Sequence, residues 1–408
     1  MEKGIKRKNN QDNISIENDI INDNKLKKSK SNNNSSNNDN NNNNESLRIL
    51  EFFCGIGGMH YAFEQSGMEG VVVASFDINV NTNLCYQHNF NIKPVNTIID
   101  SLKVEKIESY KANCWLMSPP CQPYTRGGKN LDDEDHRAAG LLNLINILPK
   151  LNNPPKYIFL ENVVNFEISR SREKLIKQLD EMGYEMNEHL VTPTQFGIPN
   201  DRARYYLSAR LPLNKKIETG KYLDNCKFYR EPNFLNKINE SDLPSLSNYR
   251  ENLSEEDELK YHVPDKYILK RYKFRFDIVK PNENKCSCFT KAYGSHHVIG
   301  TGSFLQTKKF EKKYNFDNPE TLLDLGLRFF TPNEIALLHA FPIKYDLLNK
   351  SENSKAPDYT TISKHSFSFP EEMTQIQRYR ALGNSLNVYV VAMLLKHVLF
   401  NYDNKDFQ

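Results

Sequence analysis

The stretch of the sequence that most clearly suggests chemistry is SPPCQP, residues 118–123, which sets a cysteine between prolines. Proline fixes the backbone angle φ, so the thiol of Cys121 would stand on a stiff loop. A thiol held in this way is a candidate nucleophile if a neighbouring group lowers its pKa or accepts its proton. The pattern favours a catalytic Cys121 over a buried structural thiol.

Two charged motifs could assist such a nucleophile. Glu161 and Asn162 end an apolar run that would be the strand next to the one carrying Cys121. Arg202 and Arg204 alternate, so on a strand both guanidinium groups would face one side, where they could bind a phosphate or an anionic intermediate. A strand-end glutamate or an exposed arginine pair is ordinary when taken singly, but together with Cys121 they predict a catalytic cluster.

A third motif suggests a nucleoside site. Gly55, Gly57 and Gly58 lie between a strand-like run and a helix-like run, where missing Cβ atoms would let a ligand approach backbone N–H groups. Asp77 closes the next strand about twenty residues further on, where an acid usually accepts hydrogen bonds from ribose hydroxyls. A structural turn is the alternative. The spacing lacks the second glycine pattern of a pyrophosphate site, so S-adenosylmethionine fits better than a dinucleotide.

Short apolar runs that alternate with helical spacing position these motifs. They predict an α/β fold with a parallel sheet and helices on both faces. Most of the predicted strands end in Gly, Asp, Pro-Cys or Glu-Asn, at the edge where open α/β sheets bind ligands. The predicted strands are residues 47–53, 71–76, 97–100, 114–117 and 157–160, with a hairpin-like pair at 184–190 and 204–209. The predicted helices include residues 141–151 and 171–182, and a later one has Thr331 as N-cap and Pro332 at its first position.

The composition limits the classes of protein to which the chain could belong. The 408 residues carry 54 Lys+Arg and 51 Asp+Glu, a net charge of +3, so any nucleic-acid site must be a local patch. The chain has no apolar run of about 18 residues, and by that criterion a membrane span is excluded. It also has no apolar signal core, so secretion is not expected. The seven cysteines are expected to be free thiols in a reducing compartment. We therefore expect an intracellular protein without a membrane partner.

Four segments are predicted along the chain. Residues 1–45 form an Asn-rich tail that is expected to be disordered, and its basic clusters suggest nuclear import or a weak nucleic-acid arm, against the simpler reading of a solvated tail. Residues 46–210 form the catalytic domain, residues 211–324 a smaller domain, and residues 325–408 return to the first. The expected location is nucleus and cytoplasm, and the oligomeric state is left open.

Several motifs in one order resemble the cytosine-5 methyltransferases. They are FCGIGGMH, SPPCQPYTR, ENV, QFGIPNDRARY and QRYRALGNSLNVYVV, within about residues 47–210 and 325–400. The tripeptide Cys288-Phe289-Thr290 is similar to the mark of the type-2 branch, which resembles DNA methyltransferases but modifies a cytosine at position 38 of aspartate tRNA. The resemblance implies a Rossmann-like class I S-adenosylmethionine-dependent methyltransferase sheet with an inserted target-recognition domain.

The resemblance also implies roles for individual residues. Cys121 would add to cytosine C6, Glu161 would act at N3, and Arg202 and Arg204 would stabilise developing charge. The residues implied for S-adenosyl-L-methionine are Phe53, Ile56, Gly57, Gly58, Asp77, Ile98, Ile99, Ser118, Asn384 and Ser385. Departures from the family pattern are Cys54, where serine is common, and the long polar segment 351–370.

The smaller domain offers candidate RNA contacts. Residues 266–276 interleave basic and aromatic side chains, which suits phosphate neutralisation and base stacking, although an amphipathic element with a solvated face is equally typical. The predicted substrate contacts are Lys270, Arg271, Lys273, Arg275 and Cys288. Cys286 and Cys288 with His296 and His297 have poor zinc spacing, so no metal is expected. A tRNA substrate is the first hypothesis; DNA, or a non-catalytic nucleic-acid-binding module, are the alternatives.

Overall fold

The computed structural model describes residues 46–125, 131–212, 220, 228–296, 299–344 and 358–401. These residues belong to one compact unit, Ser46–Gln408. The predicted disordered tail, part of the 351–370 segment and His297 lie outside the described residues. The division of residues 46–408 into three segments stays a prediction.

One large sheet dominates the described chain. Its strand order is β3-β2-β1-β4-β5-β8-β6-β9, and every neighbouring pair is parallel except those made by β8, which runs antiparallel to both β5 and β6. The α/β class and the β6–β8 pair are confirmed. The strands of this sheet are β1 (Leu47–Phe52), β2 (Gly70–Asp77), β3 (Val95–Asn96), β4 (Cys114–Met117), β5 (Tyr157–Val163), β6 (Glu185–Val191), β8 (Arg204–Arg210) and β9 (Phe228–Tyr229).

Helices cover both faces of the sheet, as the sequence predicted. Along β4, Cys114 and Leu116 point into one apolar core while Trp115 and Met117 point into the other, which is the alternation expected of a strand buried on both sides. The first core receives α1, α2 and α10, and the second receives α4 and α5. The helices are α1 (Gly58–Ser66), α2 (Val80–Phe90), α3 (Val104–Glu108), α4 (Ala139–Ile147), α5 (Arg170–Glu181), α6 (Glu255–Leu259), α7 (Asp265–Leu269), α8 (Pro332–Leu338), α9 (Gln375–Asn384) and α10 (Val388–Leu394).

The predicted strand at residues 97–100 is wrong. Only Val95 and Asn96 pair with the sheet, because they are opposite Phe76 and Asp77, where β2 ends. No strand edge remains for the following residues, and Ile99–Ser101 turns into a 3₁₀ helix instead. The amide of Asn143 on α4 holds this turn by donating to Ile99 O at 2.9 Å.

Two helix signals illustrate what local sequence decides well. Thr331 caps α8 through a capping box with Glu334, and Pro332 is the first helical residue, as predicted. The helix predicted at 141–151 is shorter: α4 ends at Ile147 and continues as the 3₁₀ turn Leu148–Lys150, which contains a proline. Proline in the interior of a helix removes a hydrogen bond, which explains the change.

The region after β9 has little regular structure, but it pairs with the segment that leads into β8 of the main sheet. Cys286 and Ser287 (β11) pair in parallel with Asn200 and Asp201 (β7), directly before Arg202. A second small sheet joins β10 (Ile278–Val279) to β12 (Phe304–Leu305). The β7–β11 pair therefore brings the Cys-Phe-Thr tripeptide next to the arginine motif.

The sequence was expected to contain no segment apolar enough to span a membrane, but one C-terminal helical segment meets a test of length and composition. By length and composition, Gln375–Leu399 could cross a bilayer, although 56% of its most apolar window is buried inside the protein. Its second half, α10, packs on α1 within the first core. The core helix of a soluble protein passes the same test of length and composition, and the burial explains the apolar sequence.

Candidate active site

A cavity of about 540 Å³ opens at the carboxyl ends of the central parallel strands. Its wall includes Phe53 after β1, Asp77 at the end of β2, Ser118 after β4 and Glu161 in β5. This is the edge that the sequence predicted. We call the part around Cys121, Glu161 and Arg204 the catalytic half, and the part around Phe53, Gly58 and Asp77 the donor half.

The loop that carries Cys121 is anchored on both sides. Ser118 Oγ donates to Phe53 O at 3.0 Å, and Asn162 Nδ2 donates to Pro119 O at 3.3 Å. After Cys121 the chain enters a short 3₁₀ helix, Gln122–Tyr124, whose last N–H donates to Cys121 O at 3.0 Å. The partly exposed thiol of Cys121 is therefore presented to the cavity by a fixed backbone.

The charges around the Cys121 thiol oppose one another. Burial raises the pKa of Cys121, Arg204 lowers it, Glu161 raises it, and Lys291 and Arg202 lower it. The thiol is consequently protonated in the free protein at neutral pH. The positive charges of Arg202, Arg204 and Lys291 would stabilise the thiolate once it forms. Lys291 is exposed and was not predicted from the sequence; its position next to the Cys-Phe-Thr tripeptide was the available signal.

Glu161 is suited to carry a proton. It is 8% exposed, and burial raises the pKa of its carboxyl group against the opposing charges of Arg204 and Arg202. Arg204 Nε lies 3.6 Å from Glu161 Oε1. Glu161 and Cys121 both line the cavity, as predicted, so a ring placed between them could be attacked by the thiol and protonated by the carboxyl group.

The two arginines point to the same side, as their alternation predicted, but have different partners. Arg202 is 2% exposed and donates to Phe289 O at 2.9 Å, to Gly383 O at 3.2 Å and to Ser385 O. Arg202 therefore holds the backbone of two segments at the cavity. Arg204 faces Glu161 and is the arginine better placed to contact a substrate.

Cys288 lies behind the arginine pair. Its Sγ accepts hydrogen bonds from Arg202 Nη1 at 3.1 Å and from Arg204 Nη2 at 3.5 Å. Burial would raise the pKa of the Cys288 thiol, but the two guanidinium groups outweigh burial and hold that pKa below its usual value. Cys288 is not among the described cavity-lining residues, so its predicted substrate contact would be indirect, through Arg202 and Arg204.

The donor half is built mainly from backbone and one carboxylate. Asp77 accepts the N–H of Gly55 at 2.9 Å on one oxygen and the N–H of Asn79 at 2.8 Å on the other. A carboxylate has about four lone-pair sites, so Asp77 can also accept a ligand hydroxyl. A Cβ on Gly58 would lie 3.1 Å from Ser385 Oγ, which shows how closely the C-terminal turn approaches the glycine loop.

Nine of the ten predicted cofactor residues line the cavity, and Gly57 does not. Gly57 has φ +87°, and a Cβ there would meet the Phe90 ring at 2.3 Å, so its glycine is required by packing on the opposite side of the loop. The nine are Phe53, Ile56, Gly58, Asp77, Ile98, Ile99, Ser118, Asn384 and Ser385.

The donor half fits a nucleoside. Ile78 and Ile98 line the cavity and are 60% and 53% exposed, so they offer apolar surface on which a base could pack. Asp77 has lone pairs left that could accept a hydrogen bond from a ribose hydroxyl. Ile78 was missed by the sequence reasoning, although its position directly after Asp77 was a usable signal.

The predicted basic contacts are elsewhere. None of Lys270, Arg271, Lys273 and Arg275 lies among the cavity-lining residues of the described chain. They follow α7, and all but Arg271 are exposed; Lys273 Nζ lies 5.1 Å from the centre of the Tyr272 ring. Their role toward a substrate stays a prediction.

Metal-ligating side chains do not cluster in the parts of the chain that the structure describes. Cys286 is buried, and its thiol donates to Pro199 O at 3.1 Å, which gives it a place in the β7–β11 packing. The six described cysteines are free.

Comparison with known proteins gives consistent matches. A family model described as C-5 cytosine-specific DNA methylase matches residues 47–399. The chain is 38% identical to a DNA (cytosine-5)-methyltransferase of Dictyostelium discoideum, covering 86% of this chain and 94% of that protein. It is 35% identical to the human tRNA (cytosine(38)-C(5))-methyltransferase, covering 86% of this chain and 99% of the relative.

Solved structures agree with these relatives. The Schizosaccharomyces pombe Dnmt2 methyltransferase superposes with a TM-score of 0.67 at 32% identity, covering 86% of this chain and 98% of the other. The Entamoeba histolytica methyltransferase EhMeth gives a TM-score of 0.66 at 32% identity, covering 86% and 97%. These matches confirm the resemblance read from the ordered motifs and the class I fold that it implied. The chain therefore belongs to the cytosine-5 methyltransferase family, in its type-2 branch, and is an enzyme of that family.

Proposed function

We propose that this enzyme transfers a methyl group from S-adenosylmethionine to C5 of the cytosine at position 38 in the anticodon loop of tRNA, with aspartate tRNA as the expected substrate. The observation that carries the proposal is the joint placement of Cys121, Glu161 and Arg204 at one end of a cavity whose other end fits a nucleoside. The names of the human and S. pombe relatives, tRNA (cytosine(38)-C(5))-methyltransferase, support the choice of target.

The donor half would hold S-adenosylmethionine. Asp77 would accept a ribose hydroxyl, Ile78 and Ile98 would pack against the adenine, and Ser118, Asn384 and Ser385 would surround the methionine end. When bound, this group supplies a methyl carbon made electrophilic by its sulfonium. The residues that line the cavity would orient it towards the catalytic half.

Cytosine C5 needs activation before it can accept the methyl group. Cys121 Sγ, which is partly exposed, would lose its proton to solvent and add to C6. Glu161 would give its proton to N3, so that the electron pair displaced from the C5–C6 double bond is available at C5. Arg204, beside Glu161, would stabilise the charge that develops on the base. C5 would then take the methyl group and leave the donor as its neutral thioether. Water would remove the C5 proton, Glu161 would regain its proton from N3, and the S–C6 bond would break to release Cys121.

The target must leave its base stack for Cys121 to reach C6. Extrusion of a loop base costs less than that of a paired base in a duplex, which favours an RNA loop over duplex DNA. The exposed side chains of Lys270, Lys273 and Arg275 would neutralise phosphates of the tRNA. The Cys-Phe-Thr tripeptide next to the arginine pair is a further feature shared with the type-2 branch.

DNA is the second candidate substrate, because the Dictyostelium relative is named a DNA (cytosine-5)-methyltransferase. The catalytic half would serve either nucleic acid with the same chemistry. The two proposals differ only in which nucleic acid reaches the cavity, so the test must offer both tRNA and DNA.

The test is transfer of labelled methyl from S-adenosylmethionine to total tRNA and, in parallel, to duplex DNA. Label in tRNA that disappears when the cytosine at position 38 is replaced would support the proposal. Label mainly in DNA would overturn the choice of substrate but leave the catalytic residues in place. Label in neither, with the donor still bound, would favour a non-catalytic nucleic-acid-binding module.

A further inference from the structure

A buried carboxyl group lies on β1, three residues before the glycine loop, and has no part in the proposed chemistry. Glu51, on β1, is fully buried, and its Oε2 lies 2.9 Å from the hydroxyl of Tyr86 on α2. The same hydroxyl lies 2.7 Å from Nδ1 of His60 on α1. Tyr86 is fully buried and His60 is buried, so the three side chains form a chain of hydrogen bonds closed off from solvent.

The chain continues towards the surface. His60 Nε2 lies 4.0 Å from Glu64 Oε1, and the same oxygen lies 2.5 Å from Nδ1 of His365. The backbone N–H groups of Lys364 and His365 donate to the other Glu64 oxygen at 3.0 and 3.2 Å. The side chain of His365 is 43% exposed, so the line from Glu51 ends at solvent.

The same groups pack against the glycine loop of residues 54–58. The Phe90 ring stacks on His60 with ring centres 3.9 Å apart, and it is the ring that a Cβ on Gly57 would strike. Gly55, two residues earlier, donates its N–H to Asp77. A change in the His60–Tyr86 contact would therefore be transmitted to the part of the loop that lines the donor half.

Two proton arrangements satisfy these distances. If Glu51 is ionised, Tyr86 donates to it and His60 must donate to Tyr86 from Nδ1. If Glu51 is protonated, it donates to Tyr86, Tyr86 donates to His60 Nδ1, and the proton of His60 stands on Nε2, facing the Glu64 carboxylate. Both arrangements give each of these hydroxyl and Nδ1 protons an acceptor, but only the second leaves no buried anion. A proton on Glu51 Oε1 would also neutralise the group, but that oxygen has no hydrogen-bond partner among the described residues. In the second arrangement the Nε2–H of His60 faces Glu64 Oε1 at 4.0 Å, which is beyond hydrogen-bond distance.

The directions in which burial shifts the pKa values agree with the second arrangement. Burial raises the pKa of Glu51 to about 8, the Tyr86 hydroxyl and the backbone N–H groups of α1 lower it, and the charge of Asp77 raises it. Burial lowers the pKa of His60 to about 3, so its imidazole is neutral. The groups that face Glu51 are Tyr86 from α2, the start of α1, Cys54 in the loop and Asp77 from β2.

We propose that Glu51, Tyr86 and His60 form a neutral, directional hydrogen-bond chain, headed by a protonated Glu51, that positions the glycine loop for the methyl donor. These are positioning residues, because they act on the donor through the loop and through Phe90. The part of the inference that concerns donor affinity rests on the proposed function; the protonation of Glu51 does not.

The test compares Glu51→Gln with Glu51→Leu. Glutamine keeps an N–H donor for Tyr86 and cannot ionise, so KM for S-adenosylmethionine should stay within about threefold of wild type. Leucine cannot donate, and KM should rise by about tenfold or more while kcat per active site changes little, since one buried hydrogen bond left unmade corresponds to a change of about tenfold or more. Equal losses in both variants would mean that the carboxylate charge is required, which would overturn the proposal.

Tyr86→Phe breaks the chain at its centre, and Tyr184→Phe is its matched control. Tyr184 is also buried and donates to Pro155 O at 2.5 Å, but it lies in the other apolar core. Both variants should lose some stability, whereas only Tyr86→Phe should raise KM for the donor. If KM for the donor rose equally in both variants, Tyr86 would contribute only to core packing, and its positioning role would be overturned.

The protonation of Glu51 can be measured without any donor. A glutamic acid with a folded-state pKa above its ordinary value stabilises the fold at low pH and loses that stabilisation as the pH rises to the folded-state pKa. Relative to Glu51→Gln, the folding equilibrium of wild type should weaken by up to about tenfold per pH unit from about pH 4.5, the ordinary pKa of the group, to about pH 8. A difference that does not change with pH would show Glu51 to be ionised. Absence of donor binding in wild type would instead be a failure of the proposed function.

Discussion

The two halves of the cavity are built by different means. In the catalytic half, charged side chains lie a few ångströms apart, as Arg204 and Glu161 do at 3.6 Å, and Arg204 also donates a hydrogen bond at 3.5 Å to Cys288 Sγ behind the cavity. In the donor half, the backbone shape of the glycine loop is held by Asp77, which accepts two backbone N–H groups. Substitutions in the catalytic half should therefore change the rate of chemistry, while those in the donor half should change binding.

The difference follows from what each half must do. The catalytic half must stabilise charge that develops during the reaction, and fixed charges in a water-poor site do this strongly. The donor half must fit a molecule that is already formed, and close backbone approach provides that fit. Arg202 joins the halves, because it donates to the carbonyls of Gly383 and Ser385 in the turn that lines the donor end.

The largest effect is expected for Cys121→Ala. Removing the nucleophile should lower kcat for methyl transfer by about 10⁴-fold or more, while donor affinity measured by calorimetry stays within about twofold. The matched control is Cys114→Ala, which removes a fully buried thiol from β4. It should cost stability and leave kcat of the folded enzyme near wild type; methyl transfer by Cys121→Ala at the wild-type rate would refute the assignment of the nucleophile.

Glu161→Gln should have the second largest effect, a loss of about 10²- to 10⁴-fold in kcat, because the amide can form a hydrogen bond with N3 but cannot give it a proton. Burial raises the pKa of Glu161, so the wild-type rate should fall as the pH rises through that raised pKa. The alkaline fall should disappear in the variant. A pH–rate profile that keeps this limb in Glu161→Gln would assign it to another group.

Asp77→Asn tests the donor half. Asparagine offers one acceptor oxygen instead of two, and its NH₂ group would face one of the two backbone N–H groups that Asp77 accepts. KM for S-adenosylmethionine should therefore rise by about 10- to 100-fold, with kcat little changed. Asp324→Asn is the control, because this carboxylate pairs with Lys309 and Lys312 and does not line the cavity. A fall in kcat at unchanged donor KM would place Asp77 in the catalytic half and break the comparison.

The smallest effect is expected outside both halves. The double change Lys270→Gln and Lys273→Gln should raise KM for tRNA a few-fold and leave kcat unchanged. The slope of log KM against log salt concentration should fall by about 0.7 for each phosphate that the variant no longer neutralises.

Lys106→Gln is the control, since this exposed lysine also lies over an aromatic ring, 4.8 Å from the centre of Tyr110. Equal slopes in the double variant and in wild type would mean that the basic and aromatic run does not bind the RNA.

The sequence anticipated much of the candidate site because strand-end residues of a parallel sheet meet at one edge. Asp77 ends β2, Glu161 lies near the end of β5 and Cys121 follows β4, and the structure brings all three to the same cavity. The start of α8 at Thr331 and Pro332 was predicted equally well, because a helix cap depends on only a few neighbouring residues. Residues 97–100 were misread, since apolar residues there predict a strand only if a partner edge is present.

What the sequence determined by itself was local or periodic: the alternation of strands and helices, the stiff loop of Cys121, the helix caps and the ordered motifs. What only the tertiary structure decided was which side chains meet across long separations. Arg202 contacts Ser385, Cys288 lies behind two arginines, and Glu51 reaches Tyr86 and His60 on separate helices. Such contacts depend on how the two cores pack against the sheet, and packing is a property of the whole fold that no short stretch of sequence contains.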